Sequence, residues 1–282
     1  MLLQPEDRFA GFVVRALLGS GGSSEVYLAE DVSRRRSVSL KILGAAESES
    51  PAGQARFVHE YELTARLRHP AIVRVWDHGR FEGRMWLAAE YVEGVAASEL
   101  APALHDSRDL AVALEVLAGI ADALDYIHGE GVLHLDVKPA NMLVHQSNPT
   151  LVKLSDFGSA RRTDEPPAVR DGFVIASVPY AAPELLRGGP LVAATDQYAL
   201  ACSAVELLSG RPPFPGSSRF AIAHAQVSAP PPDISRRQHW IPHAVASILD
   251  KSLAKDPRAR YDSCTEPIRL ITHALRDIDP AE

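Results

Sequence analysis

The stretch HLDVKPANMLVHQSNPTLVKLSDFG, residues 134–158, decides how the rest of the chain is arranged. Asp136 and Asn141 lie on a proline-containing segment, which predicts a tight loop with both side chains turned toward one point. Two apolar runs follow, each typical of a short strand, with a polar turn between them. The runs are residues 141–144 and 151–154. Such a hairpin would return the chain to the loop at Asp156, where a carboxylate just past a strand is well placed to hold a metal ion.

The segments HLDVKPAN and DFG resemble the catalytic loop and the metal-binding motif of protein kinases. The resemblance implies that Asp136 accepts the proton of a substrate hydroxyl and that Lys138 contacts the transferred phosphate. It also implies that Asn141 and Asp156 each hold one Mg²⁺ ion. Ordinary loop-capping residues are the alternative interpretation of these polar positions.

Leu135 departs from the family pattern, in which an arginine usually lies between the histidine and the aspartate of the catalytic loop. In the family that arginine pairs with a phosphorylated residue of the activation loop. The loop after the DFG motif carries four hydroxyl side chains: Ser159, Thr163, Ser177 and Tyr180. By the resemblance Ser177 bonds the catalytic aspartate and lysine, which leaves Thr163 as the only threonine for regulatory phosphorylation. The sequence therefore predicts an enzyme that is active without loop phosphorylation.

A glycine-rich hairpin is predicted near the N-terminus, with strands at residues 12–18 and 25–29. Glycines at its tip would let backbone amides approach phosphate oxygens closely. By the resemblance the nucleotide contacts run along the whole tip, and serine replaces the third glycine of the family pattern. They are Leu18, Gly19, Ser20, Gly21, Gly22, Ser23, Ser24, Glu25 and Val26. A plain structural hairpin is the alternative for this segment.

Lys41 lies at the end of an apolar run, Val38 to Lys41, that matches the strand motif of the family. A lysine on a buried strand needs a partner. A helix is predicted at residues 55–67, and the resemblance implies that its Glu60 pairs with Lys41, which then holds the α and β phosphates. Glu62 is the rival, but it points about 200° around the helix from Glu60. Solvent exposure is the alternative for both glutamates.

Two more strands, at residues 72–77 and 85–91, complete a small predicted sheet. Glu90 and Val92 then resemble the hinge whose backbone holds adenine, and Leu143 matches a further adenine contact. The composition shifts to alanine and leucine after Gly94, and residues 110–127 predict a long buried helix.

The sequence therefore predicts an α+β, bilobal protein-kinase fold. A β-rich N-lobe would occupy residues 1–93 and a larger, mainly helical C-lobe residues 94–282, with the kinase domain itself at about residues 10–275. The expected position of the nucleotide is the cleft between the two lobes.

Landmarks of the larger lobe follow in the family order. Glu184 ends an APE motif, and the resemblance implies a structural ion pair with Arg260. Asp196 matches the residue that anchors the catalytic-loop backbone, although Thr195 or Asp196 would also serve as the N-cap of the next helix. Substrate specificity is expected to lie in residues 170–180.

Composition sets outer limits on function. The chain has 282 residues, is 46% hydrophobic and 23% charged, and carries a net charge of −7. That charge argues against a nucleic-acid or membrane-surface role, although the run Arg34–Arg36 is a local basic patch or a solvated turn. Cys202 and Cys264 show no metal or redox spacing, which fits a reducing compartment. No signal peptide or membrane span is expected, so the predicted location is cytoplasmic.

The order and spacing of these motifs resemble those of bacterial, especially actinobacterial, serine/threonine protein kinases. The implied reaction is transfer of the γ-phosphoryl group of Mg-ATP to serine or threonine hydroxyls of proteins, the chain itself included. Mn²⁺ in place of Mg²⁺ and self-association are left open. Three alternatives stand beside this prediction: a pseudokinase scaffold, a small-molecule phosphotransferase, and an interaction module without nucleotide.

Overall fold

The computed structural model describes residues 2–100, 104, 106–165, 169–170, 173–174 and 177–281, with backbone alone at 169–170 and 173–174. Its chain forms two compact units. The first comprises Met1–Arg68 and Ile72–Glu93, and the second comprises His69–Ala71 and Gly94–Glu282.

The first unit is built on a six-stranded antiparallel sheet with the order β1-β2-β3-β4-β6-β5. Its strands are β1 (Arg8–Phe9), β2 (Phe12–Ser20), β3 (Ser24–Asp31), β4 (Arg36–Leu43), β5 (Val75–Phe81) and β6 (Arg84–Glu90). Alternating side chains of the central strands are fully buried, and Val14, Tyr27, Leu40 and Ile42 belong to the hydrophobic core of this unit. The period of two in these strands thus places one face of the sheet in the core.

Two helices complete the first unit: α1 (Ala45–Glu49) and α2 (Pro51–Thr64). Ser50 caps α2, since its side chain accepts a hydrogen bond from the backbone of Gly53, and Pro51 follows at the first helical position. The helix therefore starts four residues before the predicted Ala55 and ends three residues before the predicted Leu67. The prediction that the next strand begins at residue 72 is also wrong, because β5 begins at Val75.

The second unit is mainly helical. Its helices are α3 (Ser107–Gly129), α4 (Pro183–Leu186), α5 (Ala193–Ser209), α6 (Arg219–Ser228), α7 (His243–Ser252) and α8 (Thr265–Ala274). Its strands are short: β7 (Gly94–Ala96), β8 (Val132–Leu133), β9 (Met142–His145), β10 (Asn148–Leu154), β11 (Arg161–Arg162), β12 (Val169–Arg170) and β13 (Phe173–Val174). A three-stranded sheet has the order β10-β9-β7.

Helix α3 forms the centre of this unit. Asp106 caps its start by accepting hydrogen bonds from the backbone of Arg108 and Asp109. One face of the helix is fully buried, and Gly119 allows β10 to pack closely, since a Cβ there would lie 2.2 Å from Val152 Cγ2. Among the described residues no helix is long and apolar enough to span a membrane. The sheet of the first unit and the helices of the second confirm the predicted α+β class.

Candidate active site

The predicted catalytic loop is anchored by Asp196, a fully buried residue of α5. Its carboxylate accepts hydrogen bonds from the backbone of His134 at 2.8 Å and of Leu135 at 2.7 Å, and His128 Nε2 lies 2.9 Å away. Burial alone would raise the pKa of Asp196, but the hydrogen bonds from His128 and the His134 backbone outweigh it and hold that pKa below its ordinary value. The anchoring role is confirmed, whereas the alternative role as an N-cap is wrong, because Val192 occupies the N-cap position.

Leu135 adopts a left-handed backbone with φ of 63°, which is unfavourable for a branched side chain. The hydrogen bond from its amide to Asp196 holds this conformation, and the Leu135 side chain is buried. A buried leucine therefore stands at a position where the family carries a cation.

The carboxylate of Asp136 has two different oxygens. Oδ2 accepts hydrogen bonds from Lys138 Nζ at 2.6 Å and from Asn141 Nδ2 at 3.2 Å. Oδ1 is buried and has no hydrogen-bond partner in the part of the chain that the structure describes. Lys138 Nζ also donates to Ser177 Oγ at 2.8 Å, as the resemblance implied. Asp136 thus presents one acceptor atom whose bonding capacity is unused.

The hairpin formed by β9 and β10 brings the DFG segment back to the loop, as predicted. Ser155 donates both its amide, at 2.9 Å, and its hydroxyl, at 3.1 Å, to the carbonyl of Asn141. Phe157 is buried and packs edge-on against His134 with ring centroids 4.7 Å apart. Asp156 lies between Ser155 and Phe157 with φ of 58°, a conformation that aspartate tolerates better than most residues.

Within the first unit the predicted pairing of Lys41 with Glu60 is confirmed. Lys41 Nζ lies 2.8 Å from Oε1 and 3.0 Å from Oε2 of Glu60, and the glutamate is buried. Glu62 is exposed and points elsewhere, as the helical spacing indicated. Strand β4 and helix α2 therefore fix a partly buried ammonium group through a nearly symmetric carboxylate contact.

The glycine-rich tip lies in register with this lysine. Gly19 on β2 pairs with Val26 on β3, and Val26 pairs with Lys41 on β4. Gly21 closes the turn through a hydrogen bond from its amide to the Ser24 carbonyl at 2.9 Å. Among the residues that the structure describes, a Cβ on Gly21 would meet only that carbonyl oxygen, at 3.8 Å, so these surroundings do not require glycine there. Open space beside the turn is what close approach of a phosphate needs.

The other predicted nucleotide contacts occupy strands and their ends. Glu90 is the last residue of β6, where its amide donates to the Arg74 carbonyl at 2.8 Å, and Val92 follows it by two residues. Glu25 holds Arg84 through its carboxylate, so its side chain already has a partner. Leu143 lies on β9, half-buried, in register with Ala96.

Two further contacts support the segment that carries Ser177. Arg260 and Glu184 form the predicted ion pair through two parallel hydrogen bonds of 2.7 and 2.9 Å. Tyr180 donates its hydroxyl to Glu206 at 2.6 Å. Burial raises the pKa of Glu206 above its ordinary value, although the hydrogen bond from Tyr180 acts against that shift.

Comparison with known protein families identifies the family of this chain. The model of the protein kinase domain family matches residues 12–272. This chain belongs to the protein kinase family. The resemblance to bacterial serine/threonine kinases is confirmed by its relatives. The kinase PknJ of Mycobacterium tuberculosis is 38% identical over 271 residues, which cover 95% of this chain and 46% of PknJ.

A second relative, the serine/threonine-protein kinase PknF of Mycobacterium tuberculosis, is 38% identical across 98% of this chain and 58% of its own length. This kinase chain therefore spans about half the length of the curated relatives it matches. A crystal structure of the Mycobacterium tuberculosis PknI kinase domain is similar with a TM-score of 0.74 and 32% identity. That match covers 97% of this chain and 100% of the PknI chain, and it confirms the protein-kinase fold.

Protein kinases as a family use ATP and a divalent metal ion. The residues of this kinase chain fit such an ion. Asn141 Nδ2 donates to the Asp136 carbonyl at 2.8 Å, which commits the amide nitrogen and leaves the amide oxygen as the ligand atom. Asp156 supplies a carboxylate, and oxygen ligands of these two kinds are those that Mg²⁺ prefers.

Several features of this kinase chain were missed or misjudged from sequence. Gln226 of α6 is fully buried and donates to the carbonyls of Val178 and Pro179, yet no local pattern marks it. For the basic run at 34–36 the alternative of a solvated turn is confirmed: Arg34 and Arg35 are exposed in the turn between β3 and β4, Arg34 pairs with Asp31, and Arg36 stacks on an aromatic ring. Four residues of the predicted specificity segment 170–180, at 171–172 and 175–176, lie outside the described residues.

Proposed function

We propose that this chain transfers the γ-phosphoryl group of Mg-ATP to serine and threonine hydroxyls of proteins, itself included. The carboxylate of Asp136 carries the proposal. Its Oδ2 is held by Lys138 and Asn141, whereas the buried Oδ1 has no partner among the described residues. An oriented acceptor of this kind suits a group that takes the proton of an attacking hydroxyl.

The two lysines of the site have roles that follow from their positive charge. Lys41, oriented by Glu60, binds the α and β phosphates. Lys138 offsets the negative charge on the transferred group while Ser177 fixes its ammonium. Because the transition state of phosphoryl transfer is loose, such groups act mainly by positioning and by neutralising charge.

We assign the remaining contacts by the same chemistry. Asn141 and Asp156 would hold divalent ions, Mg²⁺ or Mn²⁺, which supply positive charge to the phosphates when bound. Backbone amides of the tip at 18–26 would bind phosphate oxygens. The backbone of Glu90 and Val92 and the side chain of Leu143 are the proposed adenine contacts. A need for ATP supports a cytoplasmic place of action, and the net charge of −7 disfavours nucleic acid as a partner.

The decisive experiment compares phosphate transfer from labelled Mg-ATP by the native chain and by Asp136→Asn. We expect incorporation on serine or threonine that falls by roughly 10²–10⁴-fold in the variant, because the proton acceptor is lost. Glu115→Gln, which changes an exposed glutamate of α3, is the matched control and should keep the native rate. Mg-ATP should still raise the melting temperature of the Asp136→Asn protein, by the equivalent of about 2.7 kcal/mol at 100-fold its dissociation constant.

The alternatives differ in this experiment. A pseudokinase scaffold would bind nucleotide and transfer nothing, and an interaction module would not be stabilised by nucleotide. A small-molecule phosphotransferase would phosphorylate an added small hydroxyl compound and leave protein unlabelled. Each of these results would contradict the proposal.

We also propose that activity does not depend on activation-loop phosphorylation. Position 135 offers no cation to a phosphate, since it is a buried leucine. The hydroxyls of Ser177 and Tyr180 are already bonded, to Lys138 and Glu206. We expect phosphatase-treated protein and the variant Ser159→Ala/Thr163→Ala to keep the native rate. Phosphopeptide mapping provides the opposing test. The proposal is contradicted if the loop carries a stoichiometric phosphate that the native rate requires.

A further inference from the structure

Three side chains that carry metal-ligand atoms lie together near the end of α3. Asp125 and His128 are three positions apart on that helix, so their side chains are neighbours on one face. Cys264 immediately precedes α8. One potential ligand atom of each side chain lies within 4.8 Å of the other two: a carboxylate oxygen, an imidazole nitrogen and the sulfur. Because Cys264 lies 139 positions after Asp125, spacing along the sequence does not show this cluster.

The hydrogen bonding of His128 determines which of its nitrogens can bind a metal ion. Its Nε2 lies 2.9 Å from a carboxylate oxygen of Asp196, and a carboxylate accepts, so Nε2 carries the proton. The other nitrogen, Nδ1, keeps its lone pair in the neutral imidazole. Histidine ligands of protein-bound metals commonly donate their second N–H to a carboxylate, which fixes the orientation of the ring. His128 and Asp196 already have that arrangement.

The carboxylate of Asp125 is held in place by backbone groups. Its Oδ1 accepts the N–H of Cys264 at 2.7 Å, and its Oδ2 accepts that of Thr265 at 3.0 Å. These bonds bring the carboxylate beside Cys264 at the start of α8. An ionised carboxylate has about four lone-pair sites, so it can accept these two bonds and still bind a metal ion. The Cys264 side chain makes no capping hydrogen bond, so the start of α8 does not depend on its sulfur.

The charges around the cluster favour a cation. Within the described ranges neither Asp125 nor Asp196 forms an ion pair with a lysine or an arginine, and the partner of Asp196 is His128. Burial and the two carboxylates raise the pKa of Cys264 well above its ordinary value, so the thiol keeps its proton in the metal-free chain. A divalent ion in place of that proton would offset the negative charge. Asp125 and His128 are partly exposed, which gives an ion a route to the buried sulfur.

We propose that Asp125, His128 and Cys264 form a zinc-binding site. The sulfur–hydrogen bond of Cys264 breaks, the proton passes to solvent, and the sulfur binds the ion together with His128 Nδ1 and one oxygen of Asp125. A water molecule takes the fourth tetrahedral position. No electron is transferred, so the site needs no oxidant or reductant. Thiolate, imidazole and carboxylate suit Zn²⁺, whereas Mg²⁺ prefers an octahedron of oxygen ligands.

Binding requires a small contraction of the cluster. Zinc bonds of about 2.0–2.3 Å at tetrahedral angles place ligand atoms roughly 3.4–3.6 Å apart. The observed separations of no more than 4.8 Å therefore need to shorten by at most about 1.4 Å. Small rotations about the side-chain bonds of the three residues together provide such a shift. The bound ion would join α3 to the start of α8 and would hold His128 against Asp196, the anchor of the catalytic loop.

The first experiment measures zinc binding by the full native chain after a chelator has removed metal ions. Mg²⁺ is kept in large excess, so that it occupies the sites proposed at Asn141 and Asp156. We expect one Zn²⁺ bound per chain. We also expect the melting temperature to rise by roughly 5–10 °C when free zinc is at 100 times its dissociation constant.

Two cysteine variants locate the bound ion. Cys264→Ser keeps the size of the side chain but loses the thiolate, and it should bind zinc at least about a hundredfold more weakly. Cys202→Ser is the matched control, because Cys202 is also fully buried but lies on α5 outside the cluster. It should bind zinc with the native affinity. Equal zinc affinities of the native chain and Cys264→Ser would overturn the proposal, because the ion then binds elsewhere.

The second experiment identifies the sulfur ligand with Co²⁺ in place of Zn²⁺. A sulfur-to-cobalt charge-transfer band in the near ultraviolet should appear in the native chain and in Cys202→Ser, and should be absent from Cys264→Ser. A native chain that binds no zinc, or that binds Co²⁺ without this band, refutes the site even if Cys264→Ser does not fold. Neither measurement requires phosphoryl transfer, so their outcome is independent of the function proposed above.

Discussion

At the scale of single residues, burial and hydrogen bonding give chemically identical groups different tasks. Asp136, Asp156 and Asp196 are all carboxylates near the same loop. Asp196 is fully buried with three donors and holds the loop, whereas Asp136 has one committed oxygen and one with no partner among the described residues. Asp156 is exposed on a left-handed backbone. Counting acids in the sequence cannot distinguish these roles, because the difference lies in which donors reach each oxygen.

Glu206 gives a pH-dependent prediction. Because its pKa is raised in the folded chain, the stability it contributes is present below its unfolded pKa of 4.5 and is lost as pH rises through the folded value. Glu206→Gln removes this titration while its amide oxygen can still accept from Tyr180. We expect the melting temperature of Glu206→Gln to exceed that of the native chain at pH 7 and to match it more closely near pH 4. Glu115→Gln, an exposed control, should show no such trend; a difference that shrinks with rising pH would contradict the assignment.

At the scale of elements, adjacent antiparallel strands bring distant residues together. The register Gly19, Val26, Lys41 across β2, β3 and β4 places the glycine-rich tip and the lysine on neighbouring strands. The alternation of buried and exposed side chains along each strand can be predicted from the sequence, because it follows from a period of two. The ends of the elements are harder to predict. Ile72 and Val73 are buried and apolar but precede β5, because burial alone does not give a residue the backbone hydrogen bonds of a strand.

The tip of the hairpin gives a prediction that separates nucleotide binding from folding. Within the described part of the chain Gly21→Ala introduces only an ordinary contact at 3.8 Å, so the melting temperature should be unchanged or slightly higher. The added methyl group would obstruct a phosphate, and we expect the KM for ATP to rise about tenfold, equivalent to about 1.4 kcal/mol. Gly129→Ala, at the end of α3 with nothing within 4 Å among the described atoms, is the matched control and should leave KM unchanged. An unaltered KM in Gly21→Ala would show that the turn is purely structural.

At the scale of the whole molecule, contacts between residues far apart in sequence hold the second unit together. Arg260 reaches Glu184 across 76 positions and also donates to the carbonyls of Ala194 and Ala254. Its side chain is completely buried. The guanidinium thus joins α4, the start of α5 and the loop after α7 through one planar group with fixed donors.

Removing this group should unfold the chain at lower temperature. Arg260→Ala leaves Glu184 buried without its partner, which costs about 3–5 kcal/mol. Arg260→Lys should restore little, because an ammonium group cannot make the two parallel hydrogen bonds. Arg258→Ala is the control two positions away, where an 88% exposed arginine pairs with Asp256 at the surface, and solvent screening leaves such a pair with little effect on stability. Thermal melts of the three variants check this order, and an Arg260→Ala effect as small as that of Arg258→Ala would refute it.

The sequence by itself determined the fold class and the order of the motifs. It also predicted the pairs Lys41–Glu60 and Arg260–Glu184, because hydrophobic periodicity, motif spacing and family resemblance can all be recognised in the order of the residues. Tertiary structure alone decided which oxygen of Asp136 is held by Lys138, that Gln226 supports the turn at Val178, and that Lys255 lies among aromatic rings. These facts depend on burial and on donors that arrive from distant segments. Free energies of desolvation and hydrogen bonding act at distances of a few ångströms in space, which positions in a sequence do not record.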